Sequence, residues 1–533
     1  MKKQSFIKGA MILLVAGIIN KLLAFVPRVI LPRIIGAEGV GLYQLSYPFL
    51  VFLLTFITGG IPLAIAKWIA EAITKGEEKR VKHIFRTAML LSMSIAVVLT
   101  ILMLWFAPLI TKYILPDERV YRSFFMMAPM LIIVAISAVF RGYFQGLQNM
   151  IPTAISQISE TVVRIVFTLL FAYLFLPFGL EWAAAGAMLG VTIGELAGLI
   201  IYFWKYVSEK RSTKKRLRKD QSLPATTTTN LKDAEAKANE PRPKVLPKLL
   251  SLSIPVTASR LVGSLSYLFE SIFIARSLAL AGVATKVATA QYGALQGMVM
   301  PLLLLPTALT QSLAVSLVPS LSEAAARGDT KLILKRLHQS MRLALVTGAP
   351  FVVVMALFAE PLCRILYAHA EYAPMLQMIA PIGIFVYLQA PLQAALQALD
   401  KPGTALKNTL IGAVVKLFLI VQLASQPSLG IYGALIAIGI NTVLVTLLHG
   451  FSLMRHIGFK MNILDFLKVG AAMMIMGATA KFMHAHLPLT QEWIILIIAS
   501  TLGIILYLFL MVVMKIIDRF DMVRIPLIGR WFQ

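Results

Sequence analysis

Apolar stretches of eighteen or more residues recur along nearly the whole chain. Each is long enough to cross a hydrocarbon core of about 30 Å as a helix. A backbone surrounded by lipid must satisfy its own hydrogen bonds, which favours helices over open sheets. An all-α polytopic membrane protein follows as the fold class, with about fourteen transmembrane helices. The predicted spans are residues 6–33, 43–68, 87–110, 122–143, 151–176, 182–205, 249–275, 287–317, 341–360, 373–397, 404–424, 430–453, 464–486 and 491–516. The first span follows Lys2 and Lys3 but is too long for a secretory signal and lacks a small-residue cleavage site.

The net charge of +26 would suggest nucleic acid in a soluble chain. Location decides otherwise. Of the 50 Lys and Arg, 29 fall in the terminal segments and even-numbered loops, 5 in the odd-numbered loops and 16 inside or at the ends of spans. That bias predicts a bacterial plasma-membrane protein with both termini in the cytoplasm, and it makes a nucleic-acid partner unnecessary. A single cysteine, Cys363, excludes an intramolecular disulfide and a multi-cysteine metal site. There is no P-loop, no dinucleotide fingerprint and no His-Glu-x-x-His helix. The chain is therefore not expected to be an enzyme or to carry catalytic residues, a cofactor or a metal. His484 and His486 read as a solvated helix end.

The chain is internally duplicated. At a constant offset of 252 residues, Glu71-Ala72 matches Glu323-Ala324, Phe106-Ala107 matches Phe358-Ala359, Ala128-Pro129 matches Ala380-Pro381, and Gln145 matches Gln397. A one-residue shift then aligns Thr153-Ala154 with Thr404-Ala405, and a shorter loop brings Gly186-Ala187 opposite Gly433-Ala434. Each copy holds an even number of spans, so both enter the membrane in the same orientation, the parallel-repeat pattern of alternating-access transporters with substrate expected between the halves. The domain reading is a six-helix bundle over 1–206, a basic disordered linker over 207–246, a second bundle over 247–458, and two extra helices with a tail over 459–533.

Charges within spans are costly in lipid and normally face a cavity or a partner. Lys21 and Arg28 are two helical turns apart and project from one face, with Arg33 farther outward. Arg260 opens the equivalent helix of the second copy, and Lys416 lies in span eleven. These five basic residues are the substrate-cavity candidates, suited to a phosphate or pyrophosphate because charge-assisted bonds to Arg are strong and directional. Arg33 alternatively snorkels to the interface. Gating or ion-pair candidates are Glu160 and Arg164, spaced to neutralise each other within one helix, together with Glu195, Glu270 and Arg276. Glu270 is expected to pair with Arg260 or Arg276 and latch one conformation. Pro27, Pro32, Pro62, Pro129, Pro301, Pro306 and Pro381 are expected to kink their helices.

Three stretches carry a resemblance to a known family. They are Gly9-Ala-Met-Ile-Leu with Asn20-Lys-Leu-Leu-Ala-Phe-Val-Pro-Arg28 and Arg33-Ile-Ile-Gly-Ala-Glu-Gly-Val-Gly-Leu-Tyr43, then Arg141-Gly-Tyr-Phe-Gln-Gly-Leu-Gln-Asn149, and Thr257-Ala-Ser-Arg-Leu-Val-Gly-Ser-Leu-Ser-Tyr267. They resemble the stage V sporulation protein B family, which is similar to MurJ-type lipid II flippases of the MATE-like multidrug/oligosaccharidyl-lipid/polysaccharide exporter superfamily. The resemblance implies a flippase for undecaprenyl-pyrophosphate-linked precursors of peptidoglycan or polysaccharide, with spore cortex as the destination in the sporulation branch. It places Lys21 and Arg33 in a cavity, with Arg28 nearby, and a lipid-tail groove at the last two spans. MurJ-type members carry charges in helix eight, whereas Val287 to Pro306 has none. The partners so implied are a lipid-linked anionic oligosaccharide, membrane lipids and cell-wall synthesis proteins. The competing readings are a cation-coupled multidrug-type exporter of small amphiphiles and a non-transporting scaffold for cell-wall synthesis.

Overall fold

A computed structural model of the chain describes residues 6–220 and 245–516. Among these the regular structure is helical throughout. The helices are α1 (Phe6–Leu23), α2 (Phe25–Thr58), α3 (Ile61–Thr74), α4 (Glu78–Leu109), α5 (Tyr121–Gly146), α6 (Ile151–Phe175) and α7 (Leu180–Asp220). After the linker come α8 (Val245–Leu280), α9 (Thr285–Ala294), α10 (Met300–Leu304), α11 (Thr307–Ala326), α12 (Thr330–Leu357), α13 (Ala359–Tyr367), α14 (Ala373–Ile379) and α15 (Gly383–Ala398). The chain continues with α16 (Pro402–Ala424), α17 (Ile431–Ile457), α18 (Ile463–His486) and α19 (Glu492–Val513).

Among the described residues, twelve helices are long and apolar enough to cross a membrane, or thirteen when the bent pair Thr285–Leu304 and Thr307–Ala326 counts as one span. The first of them, Val15–Thr74, runs for 60 residues. At 1.5 Å per residue that is roughly 90 Å, well beyond one membrane thickness, and it contains two of the predicted spans. The chain is a multi-pass membrane protein, and fourteen stands as an approximate count.

Two compact units divide the molecule. One takes the chain through Pro27 and Leu45–Leu268, and the other takes Arg28–Gln44 and everything from Phe269. The sequence boundary in the linker therefore differs from the packing boundary, because the middle of α2 packs with the second unit. Of the expected disordered linker, residues 207–220 instead continue α7 as a helix, as their many Lys, Arg and Glu allow. Residues 245 and 246 open α8, and 221–244 lie outside the described residues.

The first unit is held by two kinds of packing. Ile61, Ile65 and Ile69 of α3 pack with Ile84 and Ala88 of α4, Val139 of α5 and Leu249 of α8. Between α6 and α7 the approach is closer. Gly186, Gly190, Gly194 and Gly198 recur every fourth residue and so line one face of α7. A Cβ at Gly186 would lie 2.6 Å from the Phe171 carbonyl, one at Gly190 would strike the Thr168 backbone, and one at Gly194 would lie 2.5 Å from the Arg164 Cβ. In lipid, where apolar side chains gain little from helix association, small residues of this kind let backbones meet.

In the second unit, Met341, Ala344 and Val353 of α12 share a buried cluster with Val469, Ala472 and Met476 of α18 and with Tyr507 and Met511 of α19. The last two helices therefore dock on this unit. Ala37 and Gly41 of α2 lie against Thr289 and Gly293 of α9, again backbone to backbone.

The prolines act less uniformly than expected. Pro62 and Pro301 sit at helix starts, where a missing N–H costs nothing. Pro381 does the same for a short 3₁₀ turn. Pro27 lies in the first turn of α2, just after the break at Ala24, whereas Pro32 and Pro129 lie inside α2 and α5 without interrupting them. Pro306 does mark a break, the 53° bend between α10 and α11. The interruption in α2 falls instead at Gly36, whose φ of 67° and ψ of 177° are not helical.

Replacing Gly190 by Val should wedge α6 from α7 and lower stability by about 1–3 kcal/mol, in the range of overpacked cores. Gly263→Ala is the control, since a Cβ there meets nothing within 4 Å. Thermal denaturation of both variants in detergent should show a lowered midpoint only for Gly190→Val.

Candidate functional site

Helices α6 and α7 bring charge together inside the first unit. Glu160 and Arg164 lie one turn apart on α6, and Arg164 Nη1 donates to Glu160 Oε1 at 3.2 Å, the pairing that their spacing predicts. Arg164 Nη2 also donates to the Thr161 hydroxyl at 3.4 Å. Gly194 and Gly198 remove the side chains between the helices and bring the α7 backbone against Glu160 and Arg164. Glu195 follows Gly194 on α7, and Arg141 of α5 lies within electrostatic range of Glu160 and Glu195. Its Nε is buried without a hydrogen-bond partner. Arg141 was visible in the sequence only as part of a motif, and nothing in its spacing points to this cluster.

The second unit holds a different ion pair. Glu270 of α8 is 8% exposed. It receives the Lys416 ammonium from α16 on Oε2, and the Gln296 amide donates to Oε1 at 3.1 Å. The expected pairing of Glu270 with Arg260 or Arg276 is thus corrected to Lys416, a residue from a helix distant in sequence. Arg260 stands ten residues before Glu270 on the same helix and belongs to the first unit. Gln296 lies on a π-helical turn, Leu295–Val299, between α9 and α10. Such turns add a residue to the helix and redirect side chains.

The basic residues of the first span separate into two roles. Arg33 is engaged: its Nε donates to the Leu366 carbonyl at 2.7 Å, and Nη2 donates to the Ile365 carbonyl. These are the last carbonyls of α13, so a cation sits where the helix leaves acceptors unmet. Beside them the Tyr367 hydroxyl donates to the Met298 carbonyl at 3.0 Å, and His369 contacts Glu371 at 2.7 Å. Cys363, on the same short helix, is buried, and burial pushes its thiol up to about 12, which leaves it protonated and unreactive.

Lys21, on α1, and Arg28, in the first turns of α2, are exposed and have no ion-pair partner among the described residues. Arg260 of α8 is likewise exposed and unpaired among them. Among the ten candidate positions, every acid whose contacts are resolved is met by a neighbour, and the side chains left unmet are all cations. No group of three or more metal-ligating side chains occurs among the described residues. An open apolar groove of about 480 Å³ lies along α14 and α17, lined by Met378, Ile382, Leu435, Gly439, Val443 and Leu447.

The model of the polysaccharide biosynthesis protein family matches residues 6–325. Stage V sporulation protein B of Bacillus subtilis (strain 168) is 40% identical, over 99% of both chains. Lipid II flippase MurJ of the same organism is 25% identical, over 94% of both. Among solved structures, lipid II flippase MurJ in an inward closed conformation superposes with a TM-score of 0.68 at 16% identity, covering 94% of this chain and 98% of that one. An inward-facing multidrug resistance MATE family transporter of the MOP superfamily gives 0.62 at 15% identity, over 82% of this chain and 94% of the other. These likenesses show the MurJ/MATE fold.

Removing one partner of the Glu270–Lys416 pair strands a buried charge, which typically costs about 3–5 kcal/mol. Lys416→Met and Glu270→Gln should each lower the thermal midpoint in detergent. Their combination should recover most of the loss. Losses that simply add in the double variant would mean that the pair does not act as a unit.

Proposed function

Because the chain belongs to the polysaccharide biosynthesis protein family, we propose that it flips an undecaprenyl-pyrophosphate-linked glycan precursor, of peptidoglycan or polysaccharide, across the bacterial plasma membrane by alternating access. The observation that carries this reading is the sign of the unmet charge. Lys21, Arg28 and Arg260 lie in membrane-spanning helices without a counter-ion among the described residues. A cation in that position is costly unless it faces water or meets an anion. A pyrophosphate supplies the anion, and guanidinium groups bind its oxygens in a fixed, forked geometry.

The relatives' names agree in kind: one is a sporulation protein, and another is a flippase of lipid II. Delivery of precursor for spore cortex is the use that the 40% identical relative favours. Arg33 has a structural part in this scheme, since its guanidinium is already occupied by backbone carbonyls. The 29-to-5 distribution of basic residues supports a topology with both termini in the cytoplasm. The alternative of a cation-coupled multidrug-type exporter of small amphiphiles is less favoured, because coupling to a cation calls for acidic cavity residues, whereas Lys and Arg predominate here.

The test is translocation of fluorescent undecaprenyl-pyrophosphate disaccharide-pentapeptide in proteoliposomes under an imposed membrane potential. Lys21→Ala and Arg28→Ala should each reduce the rate by about tenfold or more, since one lost charge-assisted contact is worth roughly 1.5–3 kcal/mol. Full activity in both folded variants would remove these residues from the path, and an inactive intact protein would point to another substrate or to the scaffold role.

A further inference from the structure

His338, near the start of α12, is half-buried, and both of its ring nitrogens meet backbone carbonyls. Nδ1 lies 2.7 Å from the Leu334 oxygen, one turn back on the same helix. Nε2 lies 2.7 Å from the Lys460 oxygen, in the connection between α17 and α18. Carbonyl oxygens only accept, so each contact needs an N–H on the ring. A neutral imidazole has one N–H and one lone pair, and that lone pair would face an oxygen at hydrogen-bonding distance, where two acceptors repel. Only the imidazolium, with a proton on each nitrogen, satisfies both contacts. We propose that His338 is a proton-binding site, and that the bound proton fastens α12 to the segment leading into the last two helices.

The surroundings suit a cation. The Phe459 ring lies 4.8 Å from the imidazole, centroid to centroid, within reach of a cation–π contact. Asp465, in the first turn of α18, lines the same small cavity as His338 and brings a negative charge, and Arg342 of α12 lines it too. The other charges at this end are engaged elsewhere or point to solvent. Arg336 of α12 donates to the Ser320 carbonyl of α11, where Glu323 and Arg327 pair with each other. Lys468 of α18 donates to the Met514 carbonyl at 3.0 Å. Lys331, Lys335 and Lys460 are exposed. Helices α10, α14 and α15 also pack on α12 and carry no charged residue. Helices α13 and α19 bring theirs to the far end of α12, where Arg364 pairs with Glu492.

The duplication independently assigns a cation to this position. The 252-residue offset that aligns Glu71 with Glu323 and Phe106 with Phe358 sets Arg86 opposite His338. An arginine is always charged. The first copy therefore fixes a positive charge here, whereas the second uses the side chain whose ordinary charge change falls between about pH 5 and 8. Both copies carry the cation, and only the second makes it depend on a proton.

The two contacts respond differently when the proton leaves. Leu334 is on the same helix, so its carbonyl keeps the remaining N–H, and the Lys460 carbonyl loses its donor. The buried cluster that joins Met341 to Val469 and Met476 contains no titrating group and keeps the last two helices docked. Proton loss thus frees the connection between α17 and α18 and leaves the helices in place. The site stands apart from the flippase reading, and on the topology proposed above it responds to cytoplasmic pH.

Hydrogen–deuterium exchange of the full-length protein in nanodiscs, without substrate and corrected for the intrinsic pH dependence of amide exchange, reads residues 458–462 directly. In the intact protein this segment should exchange on the order of tenfold faster at about pH 8.5 than at about pH 6, as expected for loss of one charge-assisted hydrogen bond across the imidazole range. His338→Arg, which copies the first repeat, should stay slow at both pH values. His338→Phe, which keeps a ring and donates nothing, should be fast at both. Equal corrected rates in the intact protein overturn the proposal, and so does a pH response that persists in His338→Phe. The comparison within the intact protein needs no variant, so a variant that fails to fold leaves the test decisive.

Discussion

The cost of holding charge in a membrane-spanning helix, about 2.5–3.5 kcal/mol per group on insertion scales, governs how this molecule is arranged. Three solutions appear. Acids receive cations, as with Glu160 and Arg164 or Glu270 and Lys416. One arginine, Arg33, is absorbed by the carbonyls that end α13. A third group, comprising Lys21, Arg28 and Arg260, is left to find its anion elsewhere. On the proposed reading, substrate selection follows from the charge balance: cargo that supplies the negative charge the protein withholds is the cargo it favours.

The charges can be placed so closely only because the backbones come close first. Along α7 the four glycines remove the barrier to contact with α6, so that Glu160 and Arg164 approach the α7 backbone. In the second unit the same device joins α2 to α9 through Gly41 and Gly293. Small residues thus act upstream of the electrostatics.

Much of the fold was legible because it depends on local sequence: apolar length sets the spans, and four-residue spacing sets the Glu160–Arg164 pair. The duplication was also legible, since an ungapped register persists over many matched positions. What escaped was long-range. Lys416 finds Glu270 across 146 residues, a separation over which no periodicity carries information. Arg141 joins Glu160 and Glu195 through the packing of three helices. The break in α2 falls at Gly36 rather than at a proline, because a positive φ of 67° favours a residue without a Cβ, and a glycine inside an apolar run does not by itself announce such a turn. The expected disorder after residue 206 gave way to helix up to Asp220 because charged residues with straight side chains favour helix even where they cannot enter a membrane.

Duplication explains why the two units share a scaffold and differ in chemistry. A repeated helix pair needs its glycines: Gly186 and Gly433 occupy matched positions, and each meets the backbone of the preceding helix. Charges are under no such constraint, and the copies have diverged there. The first retains two acids and two arginines on α5, α6 and α7, where the second has Gln393, Ile411, Val415 and Thr442. The second instead ties α8 to α16 through Glu270 and Lys416, where a lysine already supplies the cation that the acid requires. The glycine-framed backbone is common to both copies, and the charge chemistry set upon it is not.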